Sequence, residues 1–177
     1  MSNFLELCNR RQSCREYTGE LVEHEKLVNC IEAGRLAPSA CNSQPWSFCV
    51  AQSPEAIEKI ARSTQATGAN SYTSKAGAFI VVVEEHAVLM ERIRGSMDSQ
   101  HYAKNDIGCA IMSICLEAQD QGLGSCVIGL YDREIIREVF DIPAIKRIAM
   151  VIALGYPANP AMRPKIRKSL EEVAKFV

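Results

Sequence analysis

Three short segments of this 177-residue chain carry side chains whose types and spacing suit chemistry rather than packing. The first reads Arg11-Gln12-Ser13-Cys14-Arg15. Two guanidinium groups flank a hydroxyl there. Guanidinium reads phosphate through two parallel N–H bonds, and a serine hydroxyl can add another. The second, residues 37–46, reads APSACNSQPW. Its prolines fix the backbone, while Asn42 and Gln44 between them offer paired donor and acceptor edges suited to a planar heterocycle. The third is Arg163-Pro164-Lys165-Ile166-Arg167-Lys168, a basic cluster near the C-terminus. Each has a plain structural reading when taken singly. A basic turn is ordinarily solvated surface, and a rigid loop can serve to anchor a buried Trp46. The loop reading leaves Asn42 and Gln44 unaccounted for. Two basic clusters at opposite ends of a chain with 20 Lys and Arg against 21 Asp and Glu can converge on one dianionic phosphate.

Other chemistries find less support. The eight cysteines, at 8, 14, 30, 41, 49, 109, 115 and 126, form no CxxC pair, which removes zinc-ribbon, thioredoxin and iron–sulfur spacings. Most of them are expected as small buried apolar side chains. His24, His86 and His101 match neither HExxH nor HxH, so no metal site is expected. Gly122 and Gly124 begin a dinucleotide fingerprint, but Val127 occupies its third glycine position. A near-neutral charge gives no general field for nucleic acid or an acidic membrane. The longest apolar run, residues 76–83, falls far short of the roughly 20 residues a bilayer requires. The N-terminal MSNFLELCNRR does not read as a secretory signal, so a cytoplasmic protein is expected.

The elements that must position these segments follow from periodicity and punctuation. Residues 4–9 read as a short helix that leads into the basic turn 10–15. Residues 23–36 are amphipathic through Leu27, Cys30, Ile31 and Gly34, and Pro38 stops that helix. Residues 46–51 alternate like a strand, and Pro54 opens a helix through Ala61. Residues 79–83 are too apolar for an exposed strand and belong at the centre of a sheet. A long helix starts at or just after Asp98 and reaches about Gln121, its apolar positions broad enough for burial on more than one side. Gly122 closes it, and a strand at 125–128 follows. Asp132 caps a helix to Phe140, and residues 148–154 form another buried strand. A final short helix is expected near 170–176. No repeat or linker interrupts the chain, so residues 1–177 read as one domain. Helices precede the first strand, which argues for a mixed sheet layered between helices rather than a Rossmann sheet.

Read together, the segments resemble the nitroreductase family of flavoenzymes. RRQSCREY is similar to that family's opening RRSxRxF/Y, PSACNSQPW to its PSxxNxQPW loop, and DIGCAIMSICLEAQDQGLGSCVIG to its DxGxAxxxxxLxAxxxGLGxxxIG unit. PKIRKSLEEV is similar to its PRKPLEEV close, so the likeness runs from Arg11 to Val173 in the family's order. The resemblance implies an α+β fold, a mixed and mainly antiparallel sheet between helices, in an intertwined homodimer with FMN at the subunit interface. It implies electron transfer from NAD(P)H to nitroaromatics, quinones or other small oxidants by a ping-pong route, with no partner nucleic acid or membrane. Carried over by position, Arg11, Gln12 and Ser13 attend the phosphate and ribityl chain, and Arg15 approaches the flavin pyrimidine edge. Lys165 and Arg167 close on the phosphate. Pro38, Ser39, Ala40 and Asn42 come from the second subunit and pack along the isoalloxazine. Backbone groups at Gly129 and Leu130 face flavin N5 and O4, and Asn70 is the candidate for a pyrimidine hydrogen bond. No residue is assigned as general acid or nucleophile; the chemistry belongs to the flavin. Alternatives on the same fold are alkene reduction, dehalogenation, or flavin binding without efficient turnover.

Three departures from the family pattern bear on the site. Gln12 stands where many relatives carry a second basic residue, and Gly129 where many carry glutamate. Residues 85–100 are brief where larger relatives insert helices. The resemblance then implies a more open pocket.

Overall fold

The computed structural model describes residues 4–90 and 99–177. The order of elements is α1 (Phe4–Arg10), α2 (His24–Arg35), a 3-10 turn (Ala40–Asn42), β1 (Trp46–Ala51), α3 (Pro54–Gln65), a second 3-10 turn (Ser71–Lys75), β2 (Ala78–Glu84), α4 (Ser99–Asp120), β3 (Gly124–Ile128), α5 (Arg133–Phe140), β4 (Arg147–Gly155) and α6 (Leu170–Val173). Part of the brief stretch 85–100, and Asp98 as the start of the long helix, lie outside the described residues.

The four strands form one sheet in the order β1-β2-β4-β3, and every pairing between them is antiparallel. The parallel component of the expected mixed sheet is one isolated bridge, Ser13 with Ser125. β2 is central and buried at all seven of its residues, as its unbroken AFIVVVE requires. Successive strand side chains point to opposite faces, and this alternation builds two cores. Phe79, Val81 and Val83 pack with Ile57 and Ile60 of α3 and Ile136 of α5. Ala78, Ile80 and Val82 pack with Leu27 and Cys30 of α2 and with Ile107, Ala110, Ile114, Cys115 and Ala118 of α4. The result is a three-layer α/β/α sandwich. Phe79 is fully buried, so Phe79→Ala should destabilise the apoprotein by about 3–5 kcal/mol in urea unfolding. A loss under 1 kcal/mol would contradict this packing.

Several boundaries differ from the sequence reading for local reasons. α3 continues past Ala61 to Gln65 because its polar last turn is inside: Ser63 and Thr64 are buried. The Thr64 hydroxyl donates to the carbonyl of Ala61 and pairs with the Thr73 hydroxyl at 2.8 Å. α6 stops at Val173 because Ala174 is already extended, at φ −135. α4 buries a single stripe rather than several sides. Its other face, with Gly108, Cys109 and Met112, is exposed within the subunit. The cysteines divide evenly: Cys14, Cys30, Cys115 and Cys126 are buried, whereas Cys8, Cys41, Cys49 and Cys109 are not.

The α4–β3 junction is built by its glycines. Gly122 has φ +80, and a pair of bonds ends the helix there: Gly122 N–H to the Gln119 carbonyl at 3.2 Å and Leu123 N–H to the Ala118 carbonyl at 2.8 Å. This is the helix termination that favours glycine. No described helix is long and apolar enough to cross a membrane.

Candidate functional site

Residues 11–18 run extended along the β3 edge of the sheet. The N–H of Cys14 donates to the carbonyl of Ser125 at 2.9 Å, beside the Ser13–Ser125 bridge. On its other side the same segment meets the chain leaving β4. Tyr17 bridges Pro157, and Ala158 N–H donates to the Glu16 carbonyl at 3.0 Å. The two basic clusters, 150 residues apart in sequence, are thereby laid side by side: the Arg163 guanidinium donates to the Ser13 carbonyl at 2.6 Å.

Cations concentrate at this seam: Arg11, Arg163, Lys165 and Arg167 lie together. The Lys165 ammonium donates to the Arg11 carbonyl at 2.6 Å. Desolvation first, and then the neighbouring charges of Arg11, Arg167 and Arg163, hold Lys165 below the ordinary lysine range. The Arg11 Nε is buried and has no hydrogen-bond partner. A buried, unmet guanidinium donor among mutually repelling cations is costly by itself. It is the arrangement a multivalent anion would satisfy. Arg167 donates to the Ile166 carbonyl at 2.7 Å beside them. A groove of about 850 Å³ opens next to the seam, lined among others by Gln12, Ser13, Arg15, Tyr156 and Arg163.

Gly124 is what permits this seam. A Cβ built on it would stand 2.7 Å from both Cβ and Sγ of Cys14. Gly124→Ala should therefore push residues 11–15 off β3, with loss of stability and of anion affinity in the same variant. Thermal unfolding and ligand titration check both, and an unchanged pair of values would refute the close approach.

Arg15 and Asn70 meet through a residue that sequence reasoning did not single out. The Tyr72 hydroxyl hydrogen-bonds the Arg15 side chain, donates to Asn70 Oδ1 at 3.2 Å and lies 3.2 Å from the Cys126 thiol. Burial and the Cys126 hydrogen bond push the Tyr72 phenol up, and Arg15 opposes them. Asn70 has φ 56 and anchors its amide on the Thr64 carbonyl at 3.1 Å. Its left-handed backbone starts the Ser71–Lys75 turn that carries Tyr72.

The proline-bounded loop is strained and polar. Cys41, Asn42 and Gln44 all take positive φ, at 54, 53 and 48, a conformation costing of order 1–3 kcal/mol per residue. Ser39 Oγ accepts from Gln44 N–H at 2.9 Å, and the Gln44 amide reaches Asn42 Oδ1 at 3.3 Å. Asp106 of α4 accepts from the Ala40 N–H at 3.1 Å and fixes the loop to the helix. Pro38 and Asn42 remain exposed. The loop thus meets α4 at Asp106, whereas Arg11 acts electrostatically on Cys115 of the same helix. That separation is two and a half turns, about 14 Å along the axis. Within one subunit the loop and the cation seam are thus separate.

Gly129 and Leu130 follow β3 and are exposed. Gln12, expected beside the phosphate, has its side-chain amide engaged with Ala161 and Arg163. Arg163 lies in the basic segment seen in the sequence, yet nothing in its spacing marked it as the residue that joins the chain ends. No group of three or more potential metal-ligating side chains occurs among the described residues.

The fold is an α+β sandwich whose edge segment carries a cation seam drawn from both chain ends. The chain belongs to the Nitroreductase family: that family's model matches residues 9–75 and 64–156. A protein of Archaeoglobus fulgidus provisionally named NADH dehydrogenase/NAD(P)H nitroreductase is 30% identical over 163 residues, covering 90% of this chain and 88% of that one. Iodotyrosine deiodinase 1 of Pongo abelii is 25% identical over 198 residues, covering 98% of this chain and 68% of that protein. Among solved structures, a provisionally named nitroreductase of Exiguobacterium sibiricum in complex with FMN has a TM-score of 0.84 at 22% identity, over 100% of this chain and 98% of that one. At that identity the likeness is one of fold.

Proposed function

We propose that residues 1–177 form one FMN-binding domain that works as a homodimeric oxidoreductase, passing electrons from NAD(P)H to small acceptors such as nitroaromatics or quinones. The observation that carries the reading is the buried Arg11 Nε without a partner, set among cations that depress Lys165. Such a donor set fits a dianionic phosphate, and FMN, when bound, supplies hydride acceptance and delivery at its ring.

The chain's own residues then have distinct tasks. Arg11, Lys165 and Arg167 hold the phosphate by charge-assisted hydrogen bonds, with Ser13 adding its hydroxyl. Arg15, steadied by Tyr72, offers a fixed positive charge where negative charge develops on the reduced ring. Asn70, fixed by Thr64 and Tyr72, supplies amide polarity at the same edge. Exposed backbone at Gly129 and Leu130 is available to the other edge. Pro38, Ser39, Ala40 and Asn42 pack against a ring held mainly by the second subunit.

The dimer has independent support in surface left uncovered. α1 buries none of its residues, and Phe4 and Leu5 are 64% and 70% exposed. The bare apolar face of α4 and the exposed Leu170, Val173 and Phe176 add to it. Exposed large apolar side chains on these elements are what a subunit interface would cover.

Gly129 shapes the acceptor pocket. A Cβ there would meet Met150 Sδ at 3.6 Å, an ordinary contact, so Gly129→Glu should fold normally and raise KM for bulky acceptors several-fold. An unchanged KM would count against an open pocket at this position. Steady-state NAD(P)H oxidation with nitroaromatic and quinone acceptors tests the main activity, and parallel-line kinetics are expected. The likeness to an iodotyrosine deiodinase favours one second reading, reductive dehalogenation of a halophenol. Anaerobic assay with dithionite-reduced protein and an iodophenol distinguishes the two, since halide release without nitro or quinone turnover would replace the first reading.

A further inference from the structure

We propose that Gln12 and Arg163 are positioning residues: together they form a clasp that assembles the phosphate seam before any ligand arrives. The inference rests on the FMN reading for its ligand, but the clasp itself is a property of the chain alone.

Backbone pairing between the two segments ends early. Ala158 N–H to Glu16 carbonyl is the last described backbone hydrogen bond between residues 156–168 and residues 11–18. Beyond it, side chains take over. Gln12 Nε2 donates to the Ala161 carbonyl at 3.0 Å, while Gln12 Oε1 accepts from the Arg163 N–H at 3.3 Å. A donor to one carbonyl and an acceptor from the N–H two residues on is the pattern by which a parallel strand residue pairs with its neighbour. The Gln12 carboxamide therefore meets residues 161–163 as a peptide unit would, and it holds the segments together beyond the antiparallel pairing at Tyr17 and Pro157.

Arg163 completes the clasp from the other side. Its Nε donates to the same Gln12 oxygen at 3.3 Å, and its Nη2 donates to the Ser13 carbonyl at 2.6 Å. Pro164 next to it restricts Arg163 to extended backbone and fixes its own φ. The chain thus reaches Lys165 in a set register, and its ammonium lands on the Arg11 carbonyl at 2.6 Å. Arg163 spends these donors on protein atoms, so its contribution to phosphate binding is chiefly placement. The task at position 12 needs a donor and an acceptor on one planar group. Glutamine meets it, and a cationic side chain in its place would have no acceptor for the Arg163 N–H.

The experiment compares wild type, Gln12→Ala, Gln12→Glu and Arg163→Gln as full-length apoproteins. Flavin fluorescence titration gives the affinity for FMN and for riboflavin, which lacks the phosphate. Amide hydrogen exchange gives the protection of peptides spanning residues 158–166. Gln12→Ala is expected to lower FMN affinity at least 10-fold, leave riboflavin affinity within twofold, and accelerate exchange of that peptide in the absence of flavin. Gln12→Glu keeps the acceptor but loses the donor, so its exchange should fall between the two. Arg163→Gln should behave as Gln12→Ala, which covers the case of a Gln12 variant that fails to fold. Lower FMN affinity with unchanged apo exchange would make Gln12 a direct phosphate ligand and overturn the clasp. An unchanged FMN to riboflavin ratio would overturn it too. Wild type that binds neither flavin would sink the FMN reading, while the exchange experiment would still decide the clasp.

Discussion

Arg11→Ala weakens FMN binding by about 100-fold and leaves riboflavin binding nearly untouched. One half-buried guanidinium making charge-assisted hydrogen bonds contributes roughly 3 kcal/mol in all, at about 1.4 kcal/mol per decade of affinity. The same substitution should not destabilise the apoprotein. It removes a buried Nε that has no partner and relieves Lys165 of a neighbouring positive charge. Affinity and apo stability therefore move independently, or in opposite directions, as expected of a group maintained for ligand rather than fold. Fluorescence titration and thermal unfolding of the same preparations check the pair. A large stability loss with unaltered FMN affinity would make Arg11 a structural residue and remove the phosphate assignment.

Arg15→Ala carries the second large effect, on electronics rather than affinity. Arg15 is exposed, but its side chain is tied to the Tyr72 hydroxyl, which also contacts Asn70 and Cys126. A guanidinium held at the pyrimidine edge favours the reduced, anionic ring, so its loss should lower the flavin two-electron potential by about 30 mV, equivalent to roughly 1.4 kcal/mol. Reduction by NAD(P)H should slow with it. Tyr72→Phe, which keeps the ring and loses the hydroxyl, should reproduce part of the shift through freer motion of Arg15. Redox titration and stopped-flow reduction read the two quantities. Potential and reduction rate both unchanged in Arg15→Ala would show that the charge does not act on the ring.

What could be read from sequence was whatever periodicity or punctuation encodes locally. The strand at 78–84 declares its central place through the apolar run FIVVV at 79–83, and the Asp132 carboxylate is the cap its position suggests, accepting from Glu134 N–H at 2.9 Å. The end of α3 was not legible. Ser63 and Thr64 look like loop residues, yet both are buried: Thr64 meets Thr73 of the Ser71–Lys75 turn, and the Ser63 carbonyl accepts from Asp132 N–H at 2.9 Å. For the site, the two basic clusters and the polar loop stand out by residue type, and the Arg163–Ser13 contact is what brings the two basic clusters together. Tyr72 carries no motif; it matters because an αL residue at Asn70 turns the chain so that its hydroxyl meets Arg15. Gln12 was read as a weakened phosphate ligand by its position. Its actual contacts, a donor and an acceptor on residues about 150 positions away, could not be inferred from spacing. The apolar positions of α4 at Ile107, Ala110, Ile114, Cys115 and Ala118 are buried and Ile111 is half-buried, whereas Cys109 and Met112 face out of the subunit.

Size-exclusion chromatography coupled to absorbance, on protein mixed with excess FMN and freed of unbound ligand, tests the central claim most directly. The account predicts a yellow species of twice the 19.6 kDa chain mass that carries one FMN per chain, released as FMN rather than FAD on denaturation. A colourless monomer under those conditions would contradict it.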